Sequence, residues 1–206
     1  MKKNIIFTLL LFTSLSFFAE VRYVSKTGSS TAPYTSWETA CDSLQKCFDY
    51  CNNGDTVYID RGVYRESIYI NAKNLSIIGI DTDECIIDGT GIIPKNWDAC
   101  FSGDDSKLII KGLTVKKTEQ FTNKIYSALF FNNKSLIIEN CRIDSSTVAI
   151  STCSNCFIKN NIFFNNGMAL DLYTLSDPLV FEIYNNYIQV KQTAHQIGGI
   201  YANWGG

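Results

Sequence analysis

The sequence is short of the residues on which metal and nucleic-acid sites depend. It has one histidine, His195, and its 18 Lys and Arg residues are outnumbered by 20 Asp and Glu residues. The basic residues form no cluster, which argues against a nucleic-acid partner. One CxxC pair, Cys153 and Cys156, suggests zinc, but no second pair supplies the remaining ligands. We therefore expect no metal site and no cofactor, and we assign His195 to a surface loop.

Long apolar runs are also missing, except at the N-terminus. Lys2 and Lys3 precede an apolar stretch from Ile5 to about Phe18 that ends in small residues. This order is typical of a secretory signal peptide, which we place at 1–19. An uncleaved anchor is the alternative, but the stretch is shorter than the ~20 apolar residues that span a bilayer. We therefore expect the mature chain to be secreted or at the cell surface, with no transmembrane helix.

Eight cysteines follow the predicted signal peptide and would enter an oxidising compartment. We therefore predict disulfide bonds, although the sequence does not choose among the many pairings. The candidates are Cys41, Cys47, Cys51, Cys85, Cys100, Cys141, Cys153 and Cys156.

A repeated unit of the form apolar-x-[Gly/Asn]-x-x-apolar runs through most of the chain. Its anchors are Ile110, Ile138, Ile158 and Ile183, with an earlier copy at Leu75. The isoleucines are 20 to 28 residues apart, and this period indicates a solenoid. Two residues after these anchors stand Gly112, Asn140, Asn160 and Asn185. Gly and Asn suit a bend in the left-handed conformation, and stacked coils would align them as a ladder.

A second set of apolar segments falls between these units, so each coil should contain several strands. The set reads SALFF from Ser127, VAIST from Val148, MALDL from Met168 and GGIYA from Gly198. Without a helical period, these units favour an all-β parallel β-helix over an antiparallel sandwich or a leucine-rich repeat. We expect one such domain over 20–206, with an N-terminal cap at about 20–72 and coils at about 73–206.

One helix is predicted within the cap, from Ser36 to Cys51. Ser36 is the expected N-cap, and Trp37, Leu44 and Phe48 fall on one apolar face. A solenoid must cover its open ends, so we expect this helix to cover the N-terminal end.

Three N-terminal segments resemble the opening of extracellular pectate-lyase-like, right-handed parallel β-helix proteins. They are YVSKTG at Tyr23, SWETACDSLQKCFDY at Ser36 and NGDTVYIDRGVYRE at Asn53, and the repeats extend the resemblance to about Trp204. FxxN motifs and a GGI are similar to those of polymorphic outer-membrane proteins and adhesin-like relatives. These motifs begin at Phe130, Phe163 and Gly198. The resemblance implies a right-handed β-helix that acts outside the cell.

Strand alternation predicts which side chains of the second set face outwards. The expected inward residues are Leu129, Ile150, Leu170 and Ile200. The outward candidates for ligand binding are Phe130, Asp171, Tyr173 and Tyr201. Aromatic rings beside polar groups can stack on sugars, although surface aromatics or contacts with another chain are the alternative.

Candidate catalytic residues are few. Glycoside hydrolysis normally needs two facing carboxylates, and the predicted outward face offers only Asp171. The NTD, DD and GHG motifs of polygalacturonase-like enzymes are missing, apart from Asp104 and Asp105 in a polar turn.

A lyase would need calcium ligands and a base. Arg142 is the one arginine of the coils, and we expect its neighbours Glu139 and Asp144 to be ion-paired or solvated. An acidic group, Asp81, Asp83, Glu84 and Asp88, could hold calcium. We expect a solvated turn there instead.

These observations favour a non-catalytic β-helix that serves adhesion or surface architecture and binds a glycan. The expected partners are an extracellular polysaccharide, a cell-surface glycan or another surface protein. The alternative is a carbohydrate-active enzyme, either a polysaccharide lyase or a glycoside hydrolase.

Overall fold

A computed structural model describes residues 19–94, 99–117, 127–174, 179–191 and 199–204. The predicted signal peptide, apart from its last residue, and His195 lie outside these ranges. The strands are β1 Val21–Val24, β2 Thr56–Ile59, β3 Gly62–Tyr64, β4 Ile68–Asn71, β5 Asn74–Gly79, β6 Cys85–Asp88, β7 Ala99–Asp104, β8 Lys107–Lys111, β9 Thr114–Lys116, β10 Ser127–Asn132, β11 Ser135–Glu139, β12 Arg142–Asp144, β13 Val148–Thr152, β14 Cys156–Lys159, β15 Ile162–Asn166, β16 Met168–Thr174, β17 Phe181–Tyr184, β18 Tyr187–Val190 and β19 Ile200–Trp204. The described residues contain one helix, α1, which spans Leu44–Tyr50. In these ranges no helix has the length and apolar character needed to cross a bilayer.

The strands form three parallel sheets that the chain visits in turn. Sheet A has the order β1-β2-β5-β8-β11-β14-β17, sheet B the order β3-β6-β9-β12-β15-β18, and sheet C the order β4-β7-β10-β13-β16-β19. Each coil therefore passes through A, B and C before the next coil begins above it. This confirms the predicted parallel β-helix. The second set of apolar segments forms sheet C.

The predicted bends are the corners between sheets A and B. Gly112, Asn140, Asn160 and Asn185 have φ angles of 65°, 53°, 56° and 53°. Asn185 donates from Nδ2 to Oδ1 of Asn160 at 2.5 Å. The corner positions thus combine the left-handed conformation with an amide contact between coils, as the spacing predicted.

Inward-facing side chains of the three sheets form one core. Leu129, Ile150 and Leu170 pair in register and are completely buried. Ile200 continues this inward column, as predicted, but is 50% exposed. Its strand, β19, is the edge of sheet C, with a neighbouring strand on one side only.

The helix is shorter than predicted and begins later. Its N-cap is Ser43, whose Oγ accepts a hydrogen bond from the Lys46 N–H. Ser36 instead forms a local turn with Thr39, in which the Thr39 N–H donates to Ser36 Oγ at 3.3 Å. Trp37 is not on the helix; it is 38% exposed and its ring centroid lies 4.5 Å from that of Tyr23.

Glu66 and Gln45 attach the helix to sheet C. Glu66 accepts hydrogen bonds from Ser43 Oγ at 2.7 Å and from the first helical N–H groups. Gln45 donates from Nε2 to the Tyr69 carbonyl at 3.0 Å, and its Oε1 accepts from the Tyr69 N–H at 2.8 Å. It therefore occupies hydrogen-bonding groups on the free edge of β4. Phe48 stacks on Phe101 beneath the helix, with centroids 6.2 Å apart.

All eight cysteines are buried and free in the structure, which does not bear out the predicted disulfide framework. The thiols serve as core side chains. Cys156 continues a buried column of sheet A that includes Leu108 and Leu136. Cys141 donates from Sγ to the Glu139 carbonyl at 3.4 Å, and burial raises the pKa of its thiol to about 12.

These thiols should be unreactive until the chain unfolds. Native protein prepared without reductant should react slowly with a thiol reagent at neutral pH, because all eight thiols are buried and burial raises the pKa of Cys85, Cys100, Cys141, Cys153 and Cys156. In denaturant, all eight cysteines should react. Fewer than eight reactive thiols in denaturant, restored by reductant, would support disulfides instead.

Helix docking can be tested at its buried face. Phe48→Ala removes a ring that is 1% exposed and should cost about 3–5 kcal/mol of unfolding free energy. The matched control is Lys46→Ala on the exposed side of α1, which should change stability by about 0.5 kcal/mol or less. Equal denaturation midpoints for the two variants would show that the helix does not stabilise the coils, and would count against its capping role.

Candidate functional site

The outward face of sheet C carries a row of one side chain per coil. Register pairing aligns Tyr69, Ser102, Phe130, Ser151, Asp171 and Tyr201. With strands ~4.8 Å apart, the row is about 24 Å long. Three of the four predicted binding residues, Phe130, Asp171 and Tyr201, belong to it. Tyr173 lies two residues after Asp171 on the same strand.

Asp171 lies in a small polar cluster. The hydroxyl of Ser151, on the preceding coil, donates to Asp171 Oδ2 at 3.2 Å. Burial raises the pKa of the Tyr173 phenol, and the neighbouring Cys153 and Asp171 add to the shift. Cys153 in turn donates from Sγ to Oδ1 of Asn132 at 3.0 Å. A carboxylate, two hydroxyls and a thiol therefore meet at one place on the face.

A second carboxylate, Asp104, lies on β7, next to the edge strand β4 of this sheet. Tyr69 donates its hydroxyl to Asp104 Oδ2 at 2.9 Å. Asp104 is three strands from Asp171, so the two carboxylates are separated by about 14 Å along the sheet. They are the charged residues of the sheet C strands in the described ranges.

Tyr69, Ser102 and Asp104 were not expected on this face. Strand β7 reads ACFSGD, and β10, β13 and β16 have Ala where it has Cys100. The small residue at this position was the sequence feature that could have aligned β7 with those strands. Cys100 is 1% exposed, like the fully buried alanines beside it.

The remaining basic and acidic candidates lie elsewhere and are paired. Arg142 contacts Asp144 at 2.8 Å on sheet B. Glu139, on sheet A, contacts Lys111 at 2.8 Å and Lys159 at 3.0 Å. Glu139 and Asp144 are thus ion-paired, as we expected for the acidic neighbours of Arg142.

The acidic group that could have held calcium is divided. Asp81 and Glu84 both contact Arg61, at 3.3 and 2.5 Å. Asp88 instead contacts Lys116 at 3.5 Å. Three or more potential metal ligands do not converge anywhere in the described parts of the chain.

Comparisons by sequence find no matching family model and no matching curated protein. Comparison by structure finds pectin methylesterase PemA from Erwinia chrysanthemi, with a TM-score of 0.54 and 13% sequence identity. The chain is a right-handed parallel β-helix of the pectate-lyase-like fold. The superposition covers 74% of this chain and 55% of that enzyme.

Two further structures of pectin methylesterase, both in complex with a hexasaccharide, match with TM-scores of 0.46 and 0.45. Their sequence identities to this chain are 13% and 16%. Each match again covers 74% of this chain and 55% of the other. Membership of the adhesin-like subgroup stays a prediction.

Proposed function

We propose that this β-helix is a carbohydrate-active protein that binds an extracellular polysaccharide along sheet C and acts on it at Asp171. The observation that carries the proposal is the row in which Phe130, Asp171 and Tyr201 stand on successive or nearby coils. The likeness to a pectin methylesterase favours the enzyme alternative. The non-catalytic adhesive role, which the sequence favoured, receives no support from these comparisons.

The arrangement of charges favours ester cleavage over the other two reactions. Glycoside hydrolysis uses carboxylates roughly 5 to 9.5 Å apart, and Asp104 is too far from Asp171 for this. Elimination needs a base beside calcium ligands, whereas Arg142 lies on sheet B, paired with Asp144. Ester hydrolysis needs one carboxylate, as nucleophile or as base towards water, and donors for the carbonyl oxygen. Tyr173 is placed beside Asp171 to supply a hydroxyl donor, whereas the Ser151 hydroxyl donates to Asp171 itself and holds that carboxylate in place.

The same charges favour an uncharged or esterified polymer as substrate. The described sheet C strands carry two carboxylates and no cation, so a free polyuronate would meet like charge along its length. Salt would screen this repulsion, since the Debye length falls to ~3 Å at 1 M. Binding of a de-esterified polyuronate should therefore improve with salt.

The reaction can be tested at Asp171. Wild-type protein should release alcohol from highly esterified pectin, and Asp171→Asn should reduce the rate at least ~100-fold because the amide cannot act as base or nucleophile. Asp105→Asn is the matched control. It alters a carboxylate that is 59% exposed on a turn with φ 50°, a conformation that Asn tolerates.

New reducing ends would indicate hydrolysis, and an unsaturated uronide product would indicate elimination; either would refute ester cleavage. If the wild-type protein binds pectin without any turnover, the non-catalytic binding role would be supported instead.

The aromatic part of the row can be tested by affinity. Tyr201→Ala should weaken binding of an esterified oligogalacturonide by roughly fivefold, about 1 kcal/mol, through loss of ring contact. Tyr187→Ala is the control, because this tyrosine is 58% exposed, against 47% for Tyr201, but lies on sheet B. Titration calorimetry would measure both. Equal losses in the two variants would place the ligand away from sheet C.

A further inference from the structure

Two Asn-x-Ser sequences occur in the described chain. They are Asn74-Leu75-Ser76 and Asn133-Lys134-Ser135. Such triplets are acceptors for N-linked glycans in proteins that pass through a glycosylating secretory compartment. The sequence alone treats the two equally, and both asparagines lie close to a strand of sheet A.

The structure separates them by accessibility. Asn74 is exposed at the start of β5, and its Oδ1 accepts a hydrogen bond from the Lys107 N–H at 3.1 Å. The acceptor atom is thus held on the backbone, while Nδ2 donates to no group in the described residues. Asn133 is 9% exposed at the corner between β10 and β11, and both of its side-chain polar atoms are enclosed.

The surface beside Asn74 fits an attached sugar. An open hollow of about 260 Å³ adjoins it on the outer face of sheet A. Ile109 and Ile137 form its apolar part, and Ser76 and Lys107 line it as well. A pyranose ring has an apolar face of carbon-bound hydrogens and a polar rim. It could therefore cover the isoleucines and keep its hydroxyls in water.

We propose that Asn74 is an N-glycosylation site of the secreted chain and that Asn133 is not. An oligosaccharyltransferase would form a bond between Asn74 Nδ2 and C1 of a sugar carried on a polyprenyl diphosphate. The bond between C1 and the diphosphate oxygen breaks, the diphosphate leaves with the bonding electron pair, and the amide nitrogen releases one proton to solvent. The same addition at Asn133 would leave no room for the corner to close. The inference rests on the expected secretory route and is independent of the proposed esterase activity.

The test is site occupancy in protein secreted by a eukaryotic host. The full chain, with its own N-terminus, is recovered from the medium and treated with an amidase that converts glycosylated Asn to Asp in heavy-oxygen water. Peptide mass spectrometry should find the label at Asn74 and unmodified Asn133. Untreated protein should also migrate as one glycan heavier than treated protein.

Variants keep the test independent of folding defects. Ser76→Ala retains the Asn74 side chain but should abolish the glycan, whereas Ser76→Thr should retain it. Asn133→Gln should leave the glycan mass unchanged. Unlabelled Asn74 in secreted protein, label at Asn133 in folded protein, or recovery of the chain only from the cytosol would each overturn the proposal.

Discussion

In-register parallel stacking is the constraint on which the rest of this structure depends. Each side chain lies ~4.8 Å from its counterpart on the next coil, so the side chains stacked in one column must be compatible with one another. Apolar columns do so by packing, as Leu75, Leu108 and Leu136 do on sheet A. Charged columns do so by alternating in sign. Lys111, Glu139 and Lys159 follow one another in register and are joined by contacts of 2.8 and 3.0 Å.

Buried amides satisfy the backbone where the coils turn. Asn161 accepts a hydrogen bond from the Cys141 N–H at 2.9 Å and donates to the Ile138 carbonyl at 3.0 Å. At the corner before sheet C, Asn166 accepts a hydrogen bond from the Ser146 N–H and donates to the Ile143 carbonyl, both at 2.9 Å. These corners hold the coils in register, and the register aligns Phe130, Asp171 and Tyr201 into one row. The candidate site is therefore a product of the stacking itself.

Local and periodic features could be predicted from the sequence, whereas features that depend on distant partners could not. The left-handed corners follow from short repeats, and the row containing Asp171 and Tyr201 follows from strand alternation. The helix start was misplaced because Glu66, which binds Ser43 and the first N–H groups, is 23 residues away. The contact of Tyr69 with Asp104 joins residues 35 apart. The disulfide prediction was not borne out, because the sequence does not distinguish a cysteine that packs in an apolar column from one that forms a disulfide.

The alternation of charge also limits how such a chain can lengthen during evolution. The coil that bears Glu139 and Asp144 lies above the coil that bears Lys111 and Lys116. Duplicating either coil alone would stack like charges on two sheets at once, at a spacing where such pairs are destabilising. Duplicating the two coils together would preserve the order of signs on both sheets. A duplicated pair of coils would therefore keep the charge pairing of this β-helix, whereas a single duplicated coil would not.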